Sequence, residues 1–269
     1  MTLSKTARWL LRLGMLIGLA FIYVPLAIVL INSFNADRTF AWPPPRWTLQ
    51  WWSRAWENTG VRDALWVSVK AGLGATAIAL VLGTMVAFAV QRYKFFGRDT
   101  LSLLVVLPLA LPGIVTGIAL DTAFRSVLGP LGIGKGLFSI VVGHATFCIV
   151  IVYNNVVARL RRLGGDLEEA SADLGAGVFQ TFRYVTFPLL SSSLFAGCLL
   201  AFALSFDEII VTTFTAGPGV QTLPLWIFSN LFRPNQAPVI NVVAAVLIVL
   251  SIVPIYIAQR LSRDGTVRR

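Results

Sequence analysis

At 269 residues, 57% hydrophobic and only 13% charged, the chain lies outside the soluble range, in which about a quarter of residues carry charge. Its net charge of +10 does not point to nucleic acid, because the basic residues mostly flank long apolar runs, where they act as topology signals. Cys148 and Cys198 both sit inside such runs, which gives no sign of a disulfide framework.

The N-terminus carries Lys5, Arg8 and Arg12 and then runs apolar over 13–31. That run is too long for a signal peptide and no small-residue cleavage site follows it, so it reads as a first transmembrane helix, with Pro25 tolerable inside it. From Asn32 to Asp63 the chain reads as a polar connection containing Pro43, Pro44 and Pro45 and a group of tryptophans, Trp42, Trp47, Trp51, Trp52 and Trp56. Tryptophan favours the membrane interface and its ring face attracts cations. An aromatic belt and a docking surface are both open readings.

A second span covers 64–90, with Gly72, Gly74, Ala77, Ala79 and Gly83, small residues that let helices approach closely in lipid. The basic loop that follows, with Arg92, Lys94 and Arg98, is expected on the cytoplasmic side. The third span, 101–124, contains Pro108, Pro112 and a Gly113-x-x-x-Gly117 pair and is expected to kink. After it, Gly129, Gly134 and Lys135 come near to a phosphate loop. The Ser or Thr needed for magnesium is Gly136 instead and no strand precedes it, so nucleotide binding is rejected.

The fourth span is 137–158, and its lone His144 reads as a hydrogen-bonded packing residue in preference to a functional one. Arg159, Arg161 and Arg162 then mark the cytoplasmic face. The fifth span covers 189–214. An outer segment follows, with a turn at Gly217-Pro218-Gly219 and a partly inserted helix over Leu223–Leu231. The sixth span, 239–258, leads to a basic tail, Arg260, Arg263, Arg268 and Arg269. Six spans place both termini in the cytoplasm, in agreement with the bias of Lys and Arg toward that side.

Between the fourth and fifth spans lies a cytoplasmic loop, 159–188, holding the stretch DLEEASADLGAGVFQTFRYVTFP from Asp166 to Pro188. It is too polar to sit in lipid. Asp166 with Glu169 three residues on reads as an N-cap with an acidic partner. Leu167, Ala170, Ser171 and Leu174 fall on one stripe of a short helix, and Gly175 provides the left-handed corner that ends it. A second short helix, with Val178, Phe182 and Val185 on one side, is expected to run to Pro188, where the next span begins. The carboxylates are expected to point outward.

Glu169, Ala170, Ser171, Gly175, Val185, Phe187 and Pro188 resemble the EAA loop of permease subunits of binding-protein-dependent ABC importers, written E-A-A, three residues, G, nine residues, I-x-L-P. The spacing fits throughout. Ser171 stands for the second alanine, Val185 for isoleucine and Phe187 for leucine. The resemblance implies an all-α membrane protein, a single type I (MetI-like) transmembrane domain over 1–269 with six helices, set in a bacterial inner membrane. It also implies that Glu168, Glu169, Ala170, Ser171, Asp173, Leu174, Gly175 and Pro188 couple the chain to an ATPase. The implied partners are a second homologous permease, a pair of ATPases that bind the ATP and magnesium, and a periplasmic binding protein. No cofactor is implied for this chain itself.

Carboxylates inside a bilayer are costly and so are candidates for function. Asp121 in the third span and Asp207 and Glu208 in the fifth fall toward the outer ends of their helices, where an arriving cation first meets them. Adjacent helical residues point about 100° apart, so Asp207 and Glu208 cannot both face one pathway fully. Asp207 is favoured, with Ser205 as a neutral partner, and pairing of these carboxylates with Arg125 or with a partner subunit is the alternative. The segment from Ser205 to Gly219 with Leu223-Pro224-Leu225, and Gly143 to Cys148, resemble the spermidine/putrescine branch of these permeases, which implies a small cationic solute. Another solute such as γ-aminobutyrate stays open. A membrane enzyme would need clustered His, Asp or Glu residues, and a channel leaves the loop at 166–188 unexplained.

Overall fold

The computed structural model describes residues 4–38 and 40–266, with side chains through residue 251. Twelve α-helices are described: α1 (Lys5–Asn32), α2 (Gln50–Glu57), α3 (Thr59–Arg92), α4 (Arg98–Ala110), α5 (Gly113–Ala123), α6 (Leu137–Leu163), α7 (Asp166–Asp173), α8 (Val178–Thr181), α9 (Phe187–Phe206), α10 (Ile210–Thr215), α11 (Leu223–Asn230) and α12 (Ala237–Thr266). Five helical stretches are long and apolar enough to cross a membrane, and Ala237–Ser251 is a shorter apolar one. The contacts divide the chain into two compact units, Met1–Val61 with Ile227–Arg269, and Arg62–Trp226.

In the first unit α1 and α2 both pack on α12. Among the described residues none of α1 is buried, the condition of a helix whose apolar surface faces lipid or another subunit. The connection expected to be merely polar contains α2, which the proline and tryptophan content hid. Trp51 is the residue it buries most deeply, at 2% exposure. Its Nε1 donates to the Asn35 carbonyl at 2.9 Å, and Arg54 and Arg38 stack over its ring at 4.9 and 5.5 Å. Trp42, Trp47 and Trp56 stay exposed, while Trp52 stacks on Phe34 with ring centroids 5.2 Å apart.

The second unit is built around α6, which is buried along most of its length and packs against α9, α10 and α4. Small residues make this possible, since helices in lipid associate through close packing and not through a hydrophobic drive. A Cβ added at Gly83 of α3 would lie 2.9 Å from the carbonyl oxygen of Ile149 in α6, and one at Gly74 would lie 3.1 Å from Val141. Ala75, Ala79 and Ala87 complete that face, clustering with Phe147, Val152 and Tyr153. Arg159 Nε donates to the Leu189 carbonyl at 3.0 Å, tying the end of α6 to the start of α9.

Two of the expected spans are not continuous. The stretch 101–124 is broken after Ala110, where Leu111 and Pro112 are extended (ψ 140° and 131°), as the steric demand of proline on its predecessor requires. The stretch 189–214 stops at Phe206 and resumes at Ile210. Neither Pro nor Gly marks this second break. A π turn, Phe124–Leu128, and a 3-10 turn, Gly129–Leu131, prolong α5 past the point where hydropathy ends its span.

Candidate functional site: a helix corner and two helix breaks

The corner begins with Gly164, whose φ of 65° ends α6. Gly165, not Asp166, then occupies the N-cap of α7, and its carbonyl accepts from the amides of Glu168 and Glu169 at 2.9 and 3.0 Å. Asp166 is the first helical residue, so the acids Asp166, Glu168 and Glu169 all stand in the first turn, where they face the positive end of the helix dipole. At the far end Gly175 has φ 83°. The Ala176 amide donates to the Ser171 carbonyl at 3.1 Å and the Gly175 amide to the Ala172 carbonyl at 2.9 Å, the paired bonds of a Schellman ending.

Beyond it, α8 is capped at Gly177, whose amide donates to Gln180 Oε1 at 2.9 Å. The two arms of the corner are joined by the Ser171 and Thr181 hydroxyls, 3.0 Å apart. A π turn, Phe182–Thr186, joins α8 to α9. It precedes Pro188, whose ring excludes the usual carbonyl four residues back and widens the turn. Phe182 packs edge-on to Phe88 of α3, centroids 5.7 Å apart.

Not all carboxylates of the corner point outward. Glu168 turns in: its carboxylate pairs with Arg92 Nε at 2.8 Å and accepts from Thr186 Oγ1 at 3.0 Å, so one side chain ties α7 to the end of α3 and to the π turn. Glu169, Ala170, Asp173 and Gly175 are exposed, and Ser171 is half-buried. The apolar stripe is not packed down either. Leu174 is 90% exposed, Val178 84% and Phe179 73%, leaving a bare apolar tip on the corner.

The two breaks lie together. A Cβ on Gly113, at the start of α5, would be 3.6 Å from Ile210 at the start of α10, and one on Gly117 would meet the Phe214 ring at 2.5 Å. The glycine pair is thus a packing surface that brings α5 against α10. Asp121 of α5 accepts from Lys135 Nζ at 2.6 Å and pairs with Arg125 at 2.8 Å. Lys135 Nζ also donates to the Phe214 carbonyl at 3.2 Å, which clamps α5, the following loop and α10. Asp121 is therefore an ion-pair partner in this chain, and Lys135, the residue of the rejected phosphate loop, is its main partner.

At the second break Asp207 caps α9 (φ −91°, ψ −2°). The Glu208 carboxylate accepts from the Val211 amide at 2.8 Å, serving the N-terminus of α10. The expectation that helical geometry turns Asp207 and Glu208 apart does not apply, because the helix stops at Phe206 and both residues lie in the gap before α10. Asp207 is exposed, and its carboxylate has no partner among the described residues. Ser205 is buried away from it, bonded to His144 at 2.7 Å. His144 itself is fully buried and bonded through both ring nitrogens. Among the described residues no three His, Cys, Asp or Glu side chains come together in a way that could hold a metal ion.

Sequence reasoning missed Arg92 and Lys135 as the partners of Glu168 and Asp121. The signal available for Arg92 was its position in the basic loop, on the same membrane side as the corner. For Lys135 there was none.

Helical stretches long and apolar enough to cross a membrane, two expected spans that are interrupted, and an exposed helix corner between two of the spans define the class of a multispanning membrane protein. Residues 79–266 match the family model described as binding-protein-dependent transport system inner membrane component, and the chain belongs to that family. It is 33% identical to the spermidine/putrescine transport system permease protein PotC of Escherichia coli K12 over 258 residues, 96% of each chain. It is 31% identical to the putrescine transport system permease protein PotI of the same organism over 238 residues, 87% of this chain and 84% of the relative. A crystal structure of a bacterial ABC transporter involved in the import of the acidic polysaccharide alginate aligns with a TM-score of 0.67 at 16% identity, covering 98% of this chain and 99% of that one, and so shares the fold. The chain is an inner-membrane permease subunit, a transport component and not itself an enzyme.

Proposed function

We propose that this chain forms half of the translocation pathway for a small organic cation of the putrescine or spermidine kind. The observation that carries the cationic reading is Asp207, an exposed carboxylate without a partner among the described residues, at a break in an apolar helix, since an intramembrane charge is a candidate for a pathway role. The likeness to PotC and PotI supports the substrate class. The other half is a second homologous permease, with a pair of ATPases that hold ATP and magnesium, and a periplasmic protein that delivers the solute.

In this reading the corner at 166–188 and both termini face the cytoplasm. The twenty residues of α9 rise about 30 Å, which supports a position of Asp207 toward the opposite face, where solute arrives in this reading. The tip formed by Leu174, Val178 and Phe179 seats in a cleft of the ATPase. Closure of the ATPases on ATP then moves the corner, and the Arg92–Glu168–Thr186 contacts carry that movement to α3 and α9. The stroke shifts the permease only because the seated tip binds one ATPase conformation better than the other.

The test is uptake into proteoliposomes holding the assembled importer. Asp207→Asn is expected to slow putrescine uptake about tenfold, equivalent to about 1.4 kcal/mol, while ATP hydrolysis continues. Uptake at the wild-type rate by that variant, or no uptake of either polyamine by the wild type, overturns the cationic reading.

A further inference from the structure

His144 sits on α6, directly opposite the α9–α10 break, and touches both sides of it. Nδ1 lies 2.7 Å from Ser205 Oγ, in the last turn of α9, and Nε2 lies 2.8 Å from Thr212 Oγ1, in the first turn of α10. Asp207, Glu208 and Ile209, the non-helical residues, lie between these two anchors. Neighbouring Gly143 lets α10 come this close: a Cβ there would stand 3.0 Å from Val211 and 3.3 Å from Thr215.

The hydrogen count orders the whole chain of bonds. Thr212 has one hydroxyl hydrogen, and it goes to the Glu208 carbonyl at 3.0 Å. Thr212 Oγ1 must then accept from His144, so Nε2 carries the ring proton. Nδ1 is left as an acceptor, and Ser205 donates to it. The result is a directed series, Ser205 to His144 to Thr212 to the backbone of Glu208, with every member satisfied. Satisfied buried networks of this kind select one arrangement, because any slip leaves a buried polar group without a partner.

We propose that His144 is the positioning residue for the carboxylates at this break: by bridging Ser205 and Thr212 it holds the ends of α9 and α10 in one register, and so sets where Asp207 and Glu208 meet the solute. This rests on the reading that the break lines the pathway. No other side chain geometry serves equally well. Glutamine can place an amide nitrogen near Nε2 and keep Thr212, and asparagine can place an amide oxygen near Nδ1 and keep Ser205, but neither spans both.

The assembled importer in proteoliposomes provides two measurements. In putrescine uptake, His144→Leu is expected to lower the maximal rate about tenfold, with the half-saturating concentration of the solute-loaded binding protein unchanged. Thr212→Val should reproduce that loss, and the double variant should fall no further, as for residues that act as one unit. His144→Gln should recover part of the rate. Wild-type uptake by His144→Leu, or losses that multiply in the double variant, overturns the proposal. The second measurement is amide hydrogen exchange over residues 204–213, which needs no substrate. His144→Leu and Thr212→Val should each speed exchange at the break by about tenfold while the rest of α6 stays protected. Unchanged exchange there overturns the proposal even if the polyamine reading is correct. Absence of polyamine uptake by the wild type, with exchange responding as expected, overturns only the choice of solute.

Discussion

At the scale of single residues, Gly175 and Glu168 do different work in the same corner. Gly175 adopts φ 83°, and a Cβ added there would have nothing within 4 Å, so the constraint is backbone conformation and not space. A residue other than glycine costs about 1 kcal/mol in the left-handed region, less for asparagine. Gly175→Arg is expected to leave the protein inserted but to abolish uptake and its coupling to ATP hydrolysis, because a strained and charged corner no longer fits its partner. Gly175→Asn should keep a measurable share of both. Normal coupled uptake by the arginine variant would remove the corner from the mechanism. Glu168 acts through contact instead. Its pair with Arg92 is partly exposed, at 25% and 21%, and such pairs contribute no more than about 1 kcal/mol. Its importance is directional: by tying α7 to the end of α3 it fixes which way α7 leaves α6.

At the scale of elements, the second unit depends on where side chains are missing. Gly83 faces the backbone of α6, which cannot move aside as a flexible side chain can. Gly83→Val is therefore expected to destabilise the unit by about 1–3 kcal/mol, the usual cost of overpacking. A lowered melting temperature of the detergent-solubilised importer would show it. Gly14 and Gly18 in α1, with nothing within 4 Å of an added Cβ, serve as the contrast: Gly14→Ala should leave the melting temperature unchanged. The α5–α10 pair belongs to the same scale. Two half-helices, packed through Gly113 and Gly117 and clamped by Asp121 and Lys135, form an element that neither half could make alone.

At the scale of the whole molecule, the chain leaves surfaces that its own folding does not cover. Among the described residues α1 buries none, and the tip at Leu174, Val178 and Phe179 is bare outside any apolar core. The tip is where the ATPase is expected to seat. With the importer assembled, a cysteine at Leu174 or Val178 should cross-link to a cysteine placed in the ATPase cleft, and the yield should change when ATP is added. A cysteine at Thr186, which is buried, should give no product. Failure of both tip positions to cross-link, with the importer intact, would place the ATPase contact elsewhere.

The linear order of residues determined the membrane class, the apolar spans and the glycine corner. Each of these depends on neighbours in the chain: hydropathy over about twenty residues, a left-handed glycine after a short helix, small residues spaced along one face. It also singled out Asp207 as a candidate pathway carboxylate, the residue on which the proposed function rests. What only the tertiary structure decided are the meetings of distant residues: Arg92 with Glu168, Lys135 with Asp121 and Phe214, and His144 with Ser205 and Thr212. The break at Asp207 was hidden for the same reason. Apolar residues continue on both sides of it, and no proline or glycine interrupts them, so nothing local stops the helix. Where it stops, α10 packs on α5 and α6, its Val211 amide is taken by the Glu208 carboxylate and its first turn is held by a histidine from a different span.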